Sequence, residues 1–327
     1  MSHRQPQQHR PHGPTAHRQP GRRPTSPARS RQARRRPRQT TPARGCVVFF
    51  SVIVAGLFLV WLFVTIMLAV LGSRPIADND TPTPEHHTAP RTPPLSYAGF
   101  DPGTIISDAD FYNTAAMSRD DIATFVTTWN AGCTPGPSGD TPCLADWRAE
   151  AAVSFPEDDF CWAMNLPQGA NAADLIHAAA QACEINPQVL LVILQKEQGL
   201  ITASGASLAP YRYASAMGYS CPDGAECNTD YAGLIKQVYY AARQFQMYRI
   251  IPDHYTFHAG ETAAVSYHPS GQCGAAPVAI TNQATANLYN YTPYQPNEAA
   301  LAGYGDECSA WGNLNFYAYW HAWFAQK

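Results

Sequence analysis

From Val47 to Gly72 the chain carries no charged side chain. At about 1.5 Å of rise per residue, such a helix reaches roughly 38 Å, longer than the roughly 30 Å hydrocarbon core of a bilayer. The run also exceeds the roughly 7–15 apolar residues of a cleaved secretion signal, so a retained anchor is expected. Arg44 bounds the run on one side and Arg74 on the other. Residues 1–45 hold twelve Arg and no Lys, Asp or Glu. Positive charge of that density on one flank predicts a cytoplasmic N-terminal side and an external C-terminal body.

Charge divides the chain in the same way. The whole sequence has 22 basic and 25 acidic side chains and a net charge of −3, yet every acidic residue follows the apolar run. A basic head and an acidic body follow. The expected organisation is an Arg/Pro-rich disordered cytoplasmic tail over 1–45 and a transmembrane helix over 46–72. A Pro-rich linker over 73–98 then leads to an extracytoplasmic domain over 99–327. The expected location is the cell membrane, with a single pass. The tail would rest on membrane lipid at the inner leaflet. Arg34, Arg35 and Arg36 lack the interleaved aromatics of a stacking platform, so no nucleic-acid partner is expected.

Cysteine usage agrees with an external body. Cys46 sits at the inner membrane edge, and Cys133, Cys143, Cys161, Cys183, Cys221, Cys227, Cys273 and Cys308 lie beyond the linker. Eight cysteines in an oxidising compartment imply four disulfides, with 105 conceivable pairings. Pairing of nearest neighbours is expected: Cys133–Cys143, Cys161–Cys183, Cys221–Cys227 and Cys273–Cys308. No C-x-x-C pair occurs, which argues against a zinc ribbon.

The external domain reads as mainly α. Ser118 with Asp121 marks a helix start, Asn171 a second, and Asn186-Pro187 a third that should stop at Gly199. Further helices fit Asp230–Arg249, Asn282–Tyr289 capped by Thr281, and Asn313–Phe324. A small β-hairpin fits between residues 255 and 280.

The third helix carries the chemistry. Leu190, Leu191, Val192, Ile193 and Leu194 are consecutive and apolar, the pattern of a helix buried on every side. Glu197 follows in its last turn, three, four and seven residues after Leu194, Ile193 and Leu190, and therefore on their face. Partial burial and the negative end of the helix dipole both disfavour a carboxylate there and favour the acid. An acid poised in that way suits protonation of a leaving oxygen, as glycosidic-bond cleavage requires. Lys196 is expected to point elsewhere on the helix.

The segment Ala182-Cys-Glu-Ile-Asn-Pro-Gln-Val-Leu-Leu-Val-Ile-Leu-Gln-Lys-Glu-Gln-Gly-Leu200 resembles the catalytic helix of lytic transglycosylases and goose-type lysozymes. Ala284-Thr-Ala-Asn-Leu-Tyr-Asn-Tyr-Thr-Pro293 is similar to the Ala-Tyr-Asn segment of that superfamily. The external domain also looks like those of certain actinobacterial cell-surface proteins. The resemblance implies a lysozyme-like fold and peptidoglycan glycan strands as partner. It puts the catalytic acid at Glu197, with a substrate-facing tyrosine at Tyr289 or Tyr291. It departs from the family at Gln198, where the family has Ser, and in lacking Gly-Leu-Met-Gln. Ser215–Pro222 occupies a similar place.

All seventeen tyrosines lie beyond residue 96. Aromatic faces stack on sugar rings, so Tyr213, Tyr219, Tyr289, Tyr291 and Tyr294 are candidate substrate-binding residues, and Gln198, beside Glu197, is a polar one. Asp223, Glu226, Asp230 and Glu261 are equal candidates for a second carboxylate. His254 and His258 have helical metal spacing, with His268 nearby, but no H-E-x-x-H frame surrounds them, and no metal or cofactor is expected. The expected function is a membrane-anchored peptidoglycan-cleaving glycosidase, lytic transglycosylase or muramidase. Its rivals are a non-catalytic glycan-binding domain and an envelope scaffold.

Overall fold

A computed structural model describes residues 92–325, together with Val60 alone among those before them. The expected tail, membrane span and most of the linker lie outside the described residues. Among the described residues no helix is long and apolar enough to cross a membrane.

The described body is mainly helical, with two small antiparallel hairpins. In chain order it contains α1 (Asp108–Phe111), α2 (Arg119–Trp129), β1 (Val153–Phe155), β2 (Met164–Leu166), α3 (Ala172–Ala182) and α4 (Pro187–Gln198). There follow α5 (Pro210–Ala214), α6 (Leu234–Ile250), β3 (Thr262–Ser266), β4 (Ala275–Ala279), α7 (Gln283–Tyr291), α8 (Glu298–Leu301) and α9 (Gly312–Trp323).

Helix α4 is the centre of the fold. Asn186 caps it by accepting from the amide of Gln188, Pro187 opens it, and Gly199 ends it at φ 60°. A left-handed terminal residue of this kind favours glycine, which lacks a clashing Cβ. Every side chain from Val189 to Leu194 is at most 1% exposed. Helices α3, α6 and α9 pack around α4. Burial of aliphatic side chains contributes about 1.5–3 kcal/mol each, so six in succession make α4 a rigid platform for whatever stands on its last turn.

The other helices start where short polar side chains can hold free amides. Ser118 with Asp121 forms a reciprocal capping box on α2, and Asn171 with Asp174 does so on α3. Helix α6 begins at Leu234 rather than at Asp230. Gly233, at φ 100°, breaks the chain direction, and residues Thr229–Tyr231 form a separate short 3-10 turn. Asn282, not Thr281, caps α7. Its side chain accepts from the amide of Thr285, while the Thr281 hydroxyl donates to Gly103 O. The hairpin β3–β4 pairs Thr262 with Ala279 through Ser266 with Ala275. The hairpin β1–β2, absent from the sequence reading, pairs Val153 with Leu166 through Phe155 with Met164.

All eight cysteines of the body pair: Cys133–Cys143, Cys161–Cys183, Cys221–Cys227 and Cys273–Cys308. The second joins the approach to β2 to the C-terminus of α3, whose side chains form part of the same core. The third closes the loop that follows Gly218 and Tyr219, and its Cys221 lines a cavity.

Candidate active site

A cavity of about 400 Å³ opens near the end of α4, and Gly218, Tyr219, Ser220, Cys221, Pro222, Gln244, Tyr248 and Tyr291 line it. Three separated parts of the chain build it. The 218–222 loop is fixed by Gln237, whose Oε1 accepts from the amides of Met217 and Tyr219, both at 3.1 Å. Gln237 Nε2 donates to Tyr219 O at 3.0 Å. Gln237 Nε2 also donates to Tyr231 O at 3.0 Å, so this one amide side chain, 1% exposed, satisfies four backbone groups and sets the loop's shape.

Glu197 lies directly behind this wall. Its side chain is 23% exposed. A Cβ built on Gly218 would stand 2.8 Å from Glu197 Oε2, so the carboxylate occupies the space a side chain would need on a residue that lines the cavity. At φ 70°, Gly218 also has a backbone that few other residues adopt. Glycine is thus required twice at this position, which the sequence reading passed over.

Lys196 contradicts the expectation that it points away. Its side chain is 2% exposed, and its ammonium contacts Glu197 Oε1. Nζ also donates to Thr292 Oγ1 at 3.0 Å and lies 6.0 Å from the centre of the Tyr291 ring. The flexible four-carbon stem lets the charge depart from the direction set by its own Cα, so helical spacing alone misplaces it.

The candidate substrate-binding residues separate into two groups. Tyr219 and Tyr291 line the cavity. The Tyr291 hydroxyl donates to Met217 O at 2.7 Å, and its ring stacks on Phe245 at 4.7 Å between centroids. Burial, with the Glu197 charge second, pushes this phenol well above its ordinary range, so it remains a neutral donor. Tyr294 donates to Asp223 Oδ2 at 2.5 Å and thereby ties α7's following segment to the disulfide-closed loop. Burial, followed by that hydrogen bond, raises Tyr294 to about 12.

Tyr294 does not line the cavity itself, and three other candidates do not reach it either. Tyr289 is fully buried and donates to Pro102 O at 3.0 Å, so it is a core residue and not a glycan contact. Residues two apart on a helix point about 200° from one another, which sends Tyr289 and Tyr291 to opposite sides of α7. Tyr213 turns its hydroxyl to Pro142 O at 2.8 Å, and burial raises its pKa. Gln198 donates to Ser215 Oγ at 3.1 Å, and its carbonyl accepts from Arg212, so it fastens α5 to the end of α4.

Tyr248 and Gln244 line the cavity and were not singled out from sequence. They stand one turn apart on α6, an i and i+4 pair inside a helix otherwise readable only as amphipathic. Among the described residues no group of three or more His, Cys, Asp or Glu side chains is arranged to hold a metal ion. Comparison of the chain with protein-family models, curated proteins and solved structures returned no match.

Proposed function

We propose that this chain is a membrane-anchored peptidoglycan-cleaving glycosidase whose external domain has a lysozyme-like fold and whose catalytic residue is Glu197. One observation carries the reading: a single carboxylate on the last turn of a wholly buried helix, separated from a tyrosine-walled cavity only by a glycine. In this reading the rings of Tyr219 and Tyr291 receive sugar faces, the buried Tyr248 backs the cavity, and Gln244 supplies polar contact to sugar hydroxyls. Glu197 gives its proton to the oxygen between N-acetylmuramic acid and N-acetylglucosamine. The resulting carboxylate then takes a proton from the muramic C6 hydroxyl, closing a 1,6-anhydro ring, or from water. Lys196 stabilises the carboxylate left after the first transfer, and Tyr291 stays neutral beside it.

The Lys196 contact also favours a second reading. A carboxylate held by a buried ammonium is engaged within the fold, as suits a domain that binds glycan strands without cutting them. The full chain incubated with purified cell wall separates the two. The first reading expects release of soluble muropeptides by wild type and none by Glu197→Gln, with both binding the wall. Binding without release by wild type at every pH tried establishes the second.

A further inference from the structure

A second cleft, of about 270 Å³, lies between residues 147–153 and 232–236, apart from the cavity beside Glu197. Its walls include Trp147, Arg148, Glu150, Val153, Ile235 and Lys236. Three kinds of group meet there: two cations, one carboxylate and an apolar surface. Arg148, Glu150 and Lys236 are all exposed.

Arg119, Lys196, Arg243 and Arg249 are each paired with a carboxylate. Among the described residues three cations, Arg148, Arg212 and Lys236, have no carboxylate within 4.0 Å, although the surrounding body is acidic, and two of the three line this cleft. Arg148 uses Nη1 to donate to the carbonyls of Ala145 and Trp147, and Lys236 donates to Asp230 O. Those bonds fix the two side chains through carbonyls; Arg148 also feels the charge of Asp174, which is not in direct contact with it. Glu150 likewise has no cationic partner among the described residues.

The cleft and the cavity are joined by aromatic rings. Tyr219 lines the cavity and meets Tyr231 at 5.0 Å, and Tyr231 precedes Ala232 of the cleft wall. Tyr231 meets Tyr240 at 4.8 Å, and Tyr240 meets Phe155, two residues beyond Val153, at 5.7 Å. Tyr219, Tyr231 and Tyr240 are each partly exposed. One ligand with two chemically different parts can therefore lie across both sites.

We propose that this cleft binds the peptide stem of the same strand whose sugars occupy the cavity, an inference that rests on the glycosidase or glycan-binding reading above. The stem carries carboxylates, an amine on its diamino acid and small methyl side chains. Arg148 and Lys236 meet the carboxylates, Glu150 meets the amine, and Trp147, Val153 and Ile235 cover the methyl groups. Charge-assisted bonds of this kind are the stronger class, and the mixed signs select a zwitterionic peptide over a polyanion.

The test uses the full chain in detergent and the sugar-free tetrapeptide L-alanyl-γ-D-glutamyl-L-lysyl-D-alanine, with binding followed by calorimetry. Saturable binding by wild type is expected. It should weaken by about tenfold or more in Arg148→Gln/Lys236→Gln, and similarly when the peptide carboxylates are amidated. Lys236→Gln alone should give an intermediate loss, and thermal melting of each variant checks that the fold persists. Glu150→Gln should weaken the lysyl peptide but not one with norleucine in that place. Absence of peptide binding by wild type, or binding untouched by the double substitution, overturns the proposal, as does equal competition by polyphosphate. Because the assay needs neither sugar nor cleavage, peptide binding by a chain that never cuts the wall would sink the glycosidase reading alone.

Discussion

The buried ammonium of Lys196 contacts the carboxylate of Glu197, its immediate neighbour in the chain. Consecutive residues project about 100° apart around a helix and do not ordinarily meet. Here the lysine stem is enclosed, and Thr292 Oγ1 holds Nζ from the far side. Burial makes the contact consequential, because a charge removed from water requires a partner.

That relationship predicts the stability of the variant most useful for testing catalysis. Glu197→Gln keeps the volume and one accepting oxygen but removes the charge facing Lys196. It should lower stability by about 1–3 kcal/mol, read from the denaturant midpoint of the full chain. Lys196→Met together with Glu197→Gln should recover much of the loss, because no buried charge then remains. A Glu197→Gln variant as stable as wild type would mean that the ion pair contributes nothing to folding.

Gly218 gives a second prediction. A methyl group at this position would stand 2.8 Å from Glu197 Oε2, on a backbone with φ 70°. The side-chain tip can yield, so the cost to folding is mainly that of the left-handed backbone, about 1–2 kcal/mol. The carboxylate, however, must leave its place beside the cavity. Gly218→Ala should therefore reduce any cell-wall cleavage by about 10²-fold, far beyond what its change in melting temperature implies. A variant that cleaves normally would show that the carboxylate is not needed where the structure holds it.

The frame of this site was legible and its details were not. Asn186, Pro187 and Gly199 mark the bounds of α4 because capping, proline and left-handed glycine act locally. The nearest-neighbour cysteine pairing held for all four bridges. What failed depends on contacts between distant segments. Nothing near Lys196 in sequence announces Thr292, which lies 96 residues away. The tyrosines were legible as a class, but facing decided their roles: Tyr291 borders the cavity while Tyr289 reaches back to Pro102. The hairpin β1–β2 was missed because three-residue strands are too short to show alternation.

A last prediction concerns acid. Asp174 Oδ1 accepts from Arg119 Nε at 2.7 Å, and its Oδ2 accepts from the Asn171 amide at 2.8 Å. The Arg119 hydrogen bond, ahead of the opposing effect of burial, holds this carboxyl below its ordinary value of 3.8. A folded-state value below the unfolded one means that the unfolded chain binds the proton more readily. The resulting stabilisation is present above about pH 4 and is lost as pH falls through the depressed value. Asp174→Asn keeps the shape but loses the charge, and its amide nitrogen cannot accept. At neutral pH it should destabilise the fold by about 1 kcal/mol, a modest figure because the ion pair is partly exposed and screened. That difference between wild type and variant should hold between pH 5 and 8 and shrink below about pH 4. Denaturant titrations at several pH values would measure it. A difference that stayed constant down to pH 2 would show that the tie between α2 and α3 acts through shape and not through charge.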